Sequence, residues 1–241
     1  MAIEKASMYS VETNSYIQGV KDCVPTLFGY MSVGLAFGIV GTASGLSVWQ
    51  LALLSIFVYA GAAQFIICAL IVAQAPISAI ILTTFIVNLR HLLLCLTLAP
   101  HFRKHSLLKN IGIGALITDE TFGVASTKAA KEHSLQDKWM NGLNITAYLC
   151  WTVVTVIGAQ FGQWITNPEA LGLDFALAAM FVALLILQLN TVTQSKFRHY
   201  VKIILCVAIL MIGLSLLIPS HIAVLLATVI AATIGVVTEP S

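Results

Sequence analysis

Eight apolar stretches follow one another along almost the whole chain, each long enough to cross or enter a lipid bilayer, and they leave few folds open. They run near Val24 to Ala43, Val48 to Ala73, Ile77 to Leu98, Leu107 to Lys128, Leu143 to Trp164, Phe175 to Leu189, Val201 to Ile218 and His221 to Val237, divided by polar, proline or glycine breaks. A helical span needs about 20 apolar residues. The 241 residues of the chain therefore hold roughly seven or eight segments and short loops, with no room for a soluble domain. Backbone inside lipid must bond to itself, so the expected fold is all-α, a polytopic membrane helix bundle. One transmembrane domain is expected over residues 24–238, behind a cytoplasmic N-terminal segment, residues 1–23.

Charge narrows the class further. Only 9% of the residues are charged and 59% are hydrophobic, against about 25% charged in a soluble domain. The net charge of +2 comes from basic residues scattered through loops, which gives no surface for nucleic acid. The stretch from Met1 to Tyr16 is polar and lacks an apolar core, so it is not read as a cleavable signal peptide. Five cysteines lie far apart with no CxxC or His/Cys cluster, so no metal site or cofactor is expected. No phosphate loop, GxSxG or HExxH occurs, which speaks against ATP hydrolysis and against an enzyme.

Basic loops set the expected sidedness, and they conflict with simple crossing parity. Lys5 and Lys21, then Arg103, Lys104 and Lys109, then Lys128, Lys131 and Lys138, then Lys196, Arg198 and Lys202 all favour the cytoplasm. Three apolar segments separate Lys21 from Arg103, and a single one separates Arg103 from Lys131. Either one or more segments are broken or re-entrant, which is tolerated only where protein or a wet cavity supplies hydrogen bonds, or some of these lysines lie outside. The order of glycine-bearing, small-residue and proline-ended segments also suggests a duplication, with repeat halves 24–130 and 140–238.

Polar residues inside the apolar segments carry whatever chemistry the chain has. In Tyr59-Ala60-Gly61-Ala62-Ala63-Gln64-Phe65, the small residues either pack helices closely or mark an unwound stretch with free amides. Thr84, Asn88, His91 and Cys95 recur at helical spacing and form one polar face. Arg90 beside them is either deep or snorkels to the interface. Asp119 and Glu120, two carboxylates among Gly, Ala, Ile and Leu, are costly unless paired, protonated or wetted. The alternative is an interfacial cap made by Thr118 or Asp119. Asp22 with Pro25 reads as the start of the first helix, and Asp174 as an N-cap.

In order and spacing, Gly19-Val20-Lys21-Asp22 with Pro25, Ala36-Phe37-Gly38, Tyr59 to Phe65, Arg90-His91, Thr118-Asp119-Glu120 and Phe175 to Phe181 resemble the AzlC family, the large subunits of bacterial branched-chain amino acid exporters. The chain departs at Ala178-Ala179, where the family often carries Pro-Ala. The resemblance implies a multi-pass protein of the bacterial cytoplasmic (inner) membrane. It implies export of valine, leucine, isoleucine and methionine-like substrates by gradient-coupled secondary transport, with a small membrane partner of the AzlD or YgaH type. A higher oligomer of the two-subunit unit is left open. An amino acid needs a partner for its carboxylate, one for its ammonium and an apolar wall. Arg90, His91 and the amides near Gly61 suit the first; Asp119 or Glu120 with Tyr59 suits the second, either carboxylate also able to carry a coupling proton; Phe65 and Phe122 suit the wall. Gln64 and Asn88 complete the candidate binding set. The rival reading is a channel or ion pathway lined by Asn88 and His91, without alternating access.

Overall fold

The structure is a computed structural model that describes residues 15–132, 135–165, 194–218 and 220–238, together with Phe175, Ala179, Val182, Leu185, Ile186 and Leu189. Asp174, Ala178 and most of the segment Phe175 to Leu189 lie outside the described residues. Among the described residues all regular structure is helical: α1 Tyr16–Ala43, α2 Val48–Phe57, α3 Gly61–Val72, α4 Ile77–Phe102, α5 Leu107–Gly114, α6 Asp119–Glu132, α7 Asp137–Gly162, α8 Gln194–Ser215 and α9 Ser220–Val237. Four of these are long and apolar enough to cross a membrane: α1, α4, α7 and the Lys196–Ser215 part of α8. The expected membrane helix bundle is what forms. It has two compact units, residues 1–74 with 87–177, and residues 75–86 with 178–241. In the second unit α8 packs on α9, with Gly235 close to Ile203. All that follows concerns the first.

The frame of that unit is a pair of helices, α1 and α7, lying backbone to backbone. A Cβ on Gly19 would collide with the Trp139 carbonyl, one on Gly38 with the backbone of Thr155 and Ala159, one on Gly142 with Tyr16, and one on Gly158 with Leu35. Numbers rise together along both helices, so the pair is parallel. Small residues allow this closeness, and close packing is what holds helices together in lipid. The start of α1 differs from the sequence reading. Ser15, whose side chain accepts from Gln18 N, caps the helix at Tyr16, and Asp22 and Pro25 fall inside it. Asp22 accepts hydrogen bonds from Gln18 Nε2 and Trp139 Nε1, both at 2.8 Å, so it joins α1 to α7 instead of capping.

Two further segments, each expected as one span, are broken in the middle and return to the end they came from. The first hairpin is α2 and α3. At about 1.5 Å per residue, helices of 10 and 12 residues reach only partway across a core about 30 Å thick. Leu51 lies against Gly41 near the end of α1, Ile56 O accepts from the Tyr148 hydroxyl at 3.1 Å halfway down α7, and the Tyr59 ring is 4.9 Å from Tyr148. The path then reverses. Gly61 meets Trp151, Phe65 lies 5.3 Å from Phe37, and Cys68 sits beside Ser44 at the end of α1.

The second hairpin, α5 and α6, enters from the opposite end. Lys109 pairs with Asp137 at 2.9 Å, and Ile113 O accepts from Asn144 Nδ2 at 3.0 Å. Thr118 and Glu120 reach Tyr30 in the middle of α1. Returning, Lys128 lies over the Trp139 ring at 5.1 Å. The parity conflict disappears. α1, α4 and α7 cross, the hairpins do not, and Lys21, Arg103, Lys104, Lys109, Lys128, Lys131 and Lys138 gather at one end. No Asp, Glu, Lys or Arg occurs between Asp22 and Arg90, so the other end of α1 and the first hairpin carry no charge.

Candidate functional site

The two tips meet at the middle of the first unit, and each exposes a different backbone chemistry. At the first tip Tyr59 takes φ 42°, a left-handed conformation that costs a bulky residue about 1–3 kcal/mol and concentrates at functional positions. Ala60 is extended and supplies no side-chain cap to α3. The first intrahelical bond of α3 is Gln64 N to Ala60 O at 2.9 Å, so the amides of Gly61, Ala62 and Ala63 have no acceptor within the helix. They form the positive end of a helix dipole in a place without bulk water.

The second tip is closed on itself. Thr121 Oγ1 accepts from Thr118 N at 2.9 Å, and Thr118 Oγ1 accepts from Thr121 N at 3.3 Å. Asp119 and Glu120 occupy the first turn of α6, where carboxylates are favoured by the dipole. Thr118 caps the helix, but mid-bundle against Tyr30 instead of at an interface, while Asp119 is paired. Asp119 Oδ2 is 3.0 Å from Arg90 Nη2, with side chains 25% and 30% exposed respectively. Glu120 Oε2 accepts instead from the Tyr30 hydroxyl at 3.1 Å.

The other expected residues fall into distinct places. Gln64 is fully buried, and both ends of its amide are engaged. Its Oε1 accepts from Trp151 Nε1 at 3.0 Å and its Nε2 donates to Ser55 Oγ at 3.2 Å, tying α2, α3 and α7 together. Phe65 is buried against Phe37. Phe122 is partly buried against the core cluster that includes Phe65. Gly61 is pressed against the Trp151 ring, which a Cβ would approach to 2.9 Å. His91 lies within electrostatic reach of Arg90 and Asp119. Among the expected site residues, Tyr59 OH, Asn88 Oδ1 and Arg90 Nε are buried polar atoms without a partner at good hydrogen-bond geometry. Unsatisfied groups at depth are costly, and two of these residues, Tyr59 and Arg90, stand at the tips.

Sequence reasoning passed over Tyr30 and Trp151. Tyr30 is 3% exposed, and its ring stands edge-on to Trp151 at 5.3 Å. A signal existed for Trp151, since tryptophans of membrane proteins gather at the interfaces and this one falls mid-span. Tyr30, one of two tyrosines in α1 with Tyr16, gave none.

Broken helices meeting at mid-membrane, with amides on one side and carboxylates on the other, are the arrangement by which membrane carriers hold charged solutes. Relatives agree in kind. The chain is 30% identical over 178 residues to "Inner membrane protein YgaZ" of Escherichia coli K12, covering 71% of this chain and 72% of that protein. It is 27% identical over 209 residues to "Branched-chain amino acid transport protein AzlC" of Bacillus subtilis 168, covering 84% and 79%. An uncharacterized membrane protein of Archaeoglobus fulgidus is 28% identical over 183 residues, 74% of this chain and 78% of the other. No solved structure matches the chain. The profile of the family described as "AzlC protein" matches residues 25–165, the stretch that contains α7 and both hairpins, and on that match this chain belongs to the AzlC family of membrane transport proteins.

Proposed function

We propose that the chain exports the branched-chain amino acids valine, leucine and isoleucine, and also methionine, as the large subunit of a two-subunit carrier. The observation that carries this reading is the junction itself. An uncapped helix N-terminus faces the region where a second broken helix presents carboxylates, and a zwitterion needs one of each. Arg90 and Asp119 neutralise one another, which leaves the Gly61 to Ala63 amides for the substrate carboxylate and Glu120 for its ammonium. His91, Asn88 and the Tyr59 hydroxyl border the site, and Phe65 and Phe122 contribute apolar wall. Proton binding by Glu120 or Asp119 provides the coupling to a gradient, by biasing the hairpins between two arrangements.

The basic end is cytoplasmic by the positive-inside rule, so the first hairpin opens to the outside and the second to the cytoplasm. Tyr30, Tyr59, Thr118 and Thr121 are all buried at the junction. That closure favours alternating access over an open channel. The small AzlD-type partner implied by the family completes the carrier.

The decisive measurement is intracellular leucine in cells fed a leucine dipeptide, with and without this chain and its small partner. Lower accumulation with both subunits supports export. Equal accumulation with the subunits correctly inserted defeats it, as does normal export by an Asp119→Asn, Glu120→Gln double variant for the coupling step.

A further inference from the structure

Tyr30 belongs to neither hairpin, yet it is the residue through which both tips are joined. It stands on α1, the crossing helix, and is 3% exposed. Its oxygen is hydrogen-bonded to Thr118 Oγ1 and lies 3.1 Å from Glu120 Oε2, both on the second hairpin. The hydroxyl of Tyr59, at the tip of the first hairpin, lies close to the same Tyr30 oxygen; it is buried and has no partner at good hydrogen-bond geometry.

A phenol has one proton to donate. With Thr118 donating to the Tyr30 oxygen, the Tyr30 proton goes to Glu120, and the Tyr59 hydroxyl is left over. An ammonium group reaching Glu120 competes for that same carboxylate oxygen. Both bonds end on the carboxylate, but the ammonium adds a full opposite charge that the neutral phenol lacks, so the ammonium displaces the phenol. The released Tyr30 proton then has one unsatisfied neighbour, the Tyr59 oxygen.

We infer that Tyr30 is a positioning residue that reports occupancy of Glu120 from one hairpin to the other. While the site is empty its hydroxyl holds the second tip, and when a substrate ammonium occupies Glu120 it turns to the first tip. The step exchanges hydrogen bonds only and needs no covalent change. The inference rests on the proposed role of Glu120 as the ammonium ligand. It adds that Tyr30 opposes binding and promotes turnover.

The test is counterflow of radiolabelled leucine into vesicles containing the full chain with its small partner, comparing the unaltered protein, Tyr30→Phe and Tyr59→Phe. Removing the competing hydroxyl is expected to lower KM by about 10- to 100-fold, the weight of one hydrogen bond to a charged group, while the maximal rate falls by about 10-fold or more. Tyr59→Phe is expected to slow the maximal rate with KM unchanged. A raised KM at unchanged rate for Tyr30→Phe makes its hydroxyl a substrate ligand and overturns the relay. So does the absence of any change, which makes Tyr30 packing alone. Should Tyr30→Phe not accumulate as inserted protein, Tyr59→Phe decides the matter, since an unchanged rate there overturns the relay and a slowed rate at constant KM supports it. No leucine counterflow by the unaltered protein overturns the substrate reading and the relay together. Counterflow with any of the contrary variant results overturns the relay alone.

Discussion

At the tip of the first hairpin the backbone turns through Tyr59 at φ 42°, and α3 begins with no side chain over its amides. At the tip of the second, Thr118 and Thr121 bind each other's amides, and two carboxylates fill the first turn of α6. Both tips are helix interruptions at the same depth, and each must satisfy the same freed backbone groups. The second does so locally. The first relies on α7, through Tyr148 on Ile56 O and Trp151 on Gln64, and leaves its amides open. One tip is closed by its own side chains, and the other keeps free the amides assigned above to the proposed substrate.

That contrast is most easily broken at its charge. Glu120→Gln keeps an acceptor for Tyr30 but removes the anion, and leucine counterflow is expected to fall by about 30- to 100-fold, the weight of a hydrogen bond to a charged group, at an unchanged level of inserted chain. Next comes the pair that holds the second tip to α4. Arg90→Gln or Asp119→Asn alone leaves a charge unmatched and is expected to reduce both yield and transport. The two together recover part of the loss, with a coupling of about 0.5–3 kcal/mol in a double-mutant cycle. Additive effects would show that the ion pair does not position the tip.

The open tip is tested by Gly61→Ala. The new Cβ reaches a Trp151 ring fixed by Gln64 and stacked near Phe37, so the first turn of α3 shifts. KM for leucine is expected to rise by about 10-fold, within what a helix terminus contributes to an anion. The smallest effect is reserved for the closed tip. Thr121→Ala removes one cap at a cost of about 1 kcal/mol, expected as a modest fall in the unfolding temperature with KM nearly unaltered. Were Thr121→Ala to change KM more than Gly61→Ala, the roles assigned to the tips would be reversed.

The two hairpins also differ in how far the sequence announces them. Asp119 and Glu120 in an apolar stretch, together with the lysines on either side, flag the second break by composition alone. The first break leaves hydropathy unbroken, because Val58 to Phe65 is apolar or small almost throughout. What ends α2 is a backbone dihedral at Tyr59 that hydropathy does not encode. Asp22 and Pro25 imitate a helix start by composition, and only the Trp139 indole explains why Asp22 lies inside α1. Tyr30 is invisible for another reason. Its partners lie 88 and 90 residues away, and nothing local marks it.

The dependence of the first hairpin on α7 also bears on how the protein is made. Trp151, whose indole satisfies Gln64, is 87 residues downstream, so at about 5–20 residues per second the hairpin is synthesised some 4–17 seconds before its support. Through that interval α2 and α3 have α1 beside them, but neither the length to cross nor the α7 groups that bind their tip. Insertion of α1 and assembly of the first hairpin are therefore separate events. The second must wait for α7, and a chain truncated after α6 is expected to leave the ribosome with its first hairpin undocked.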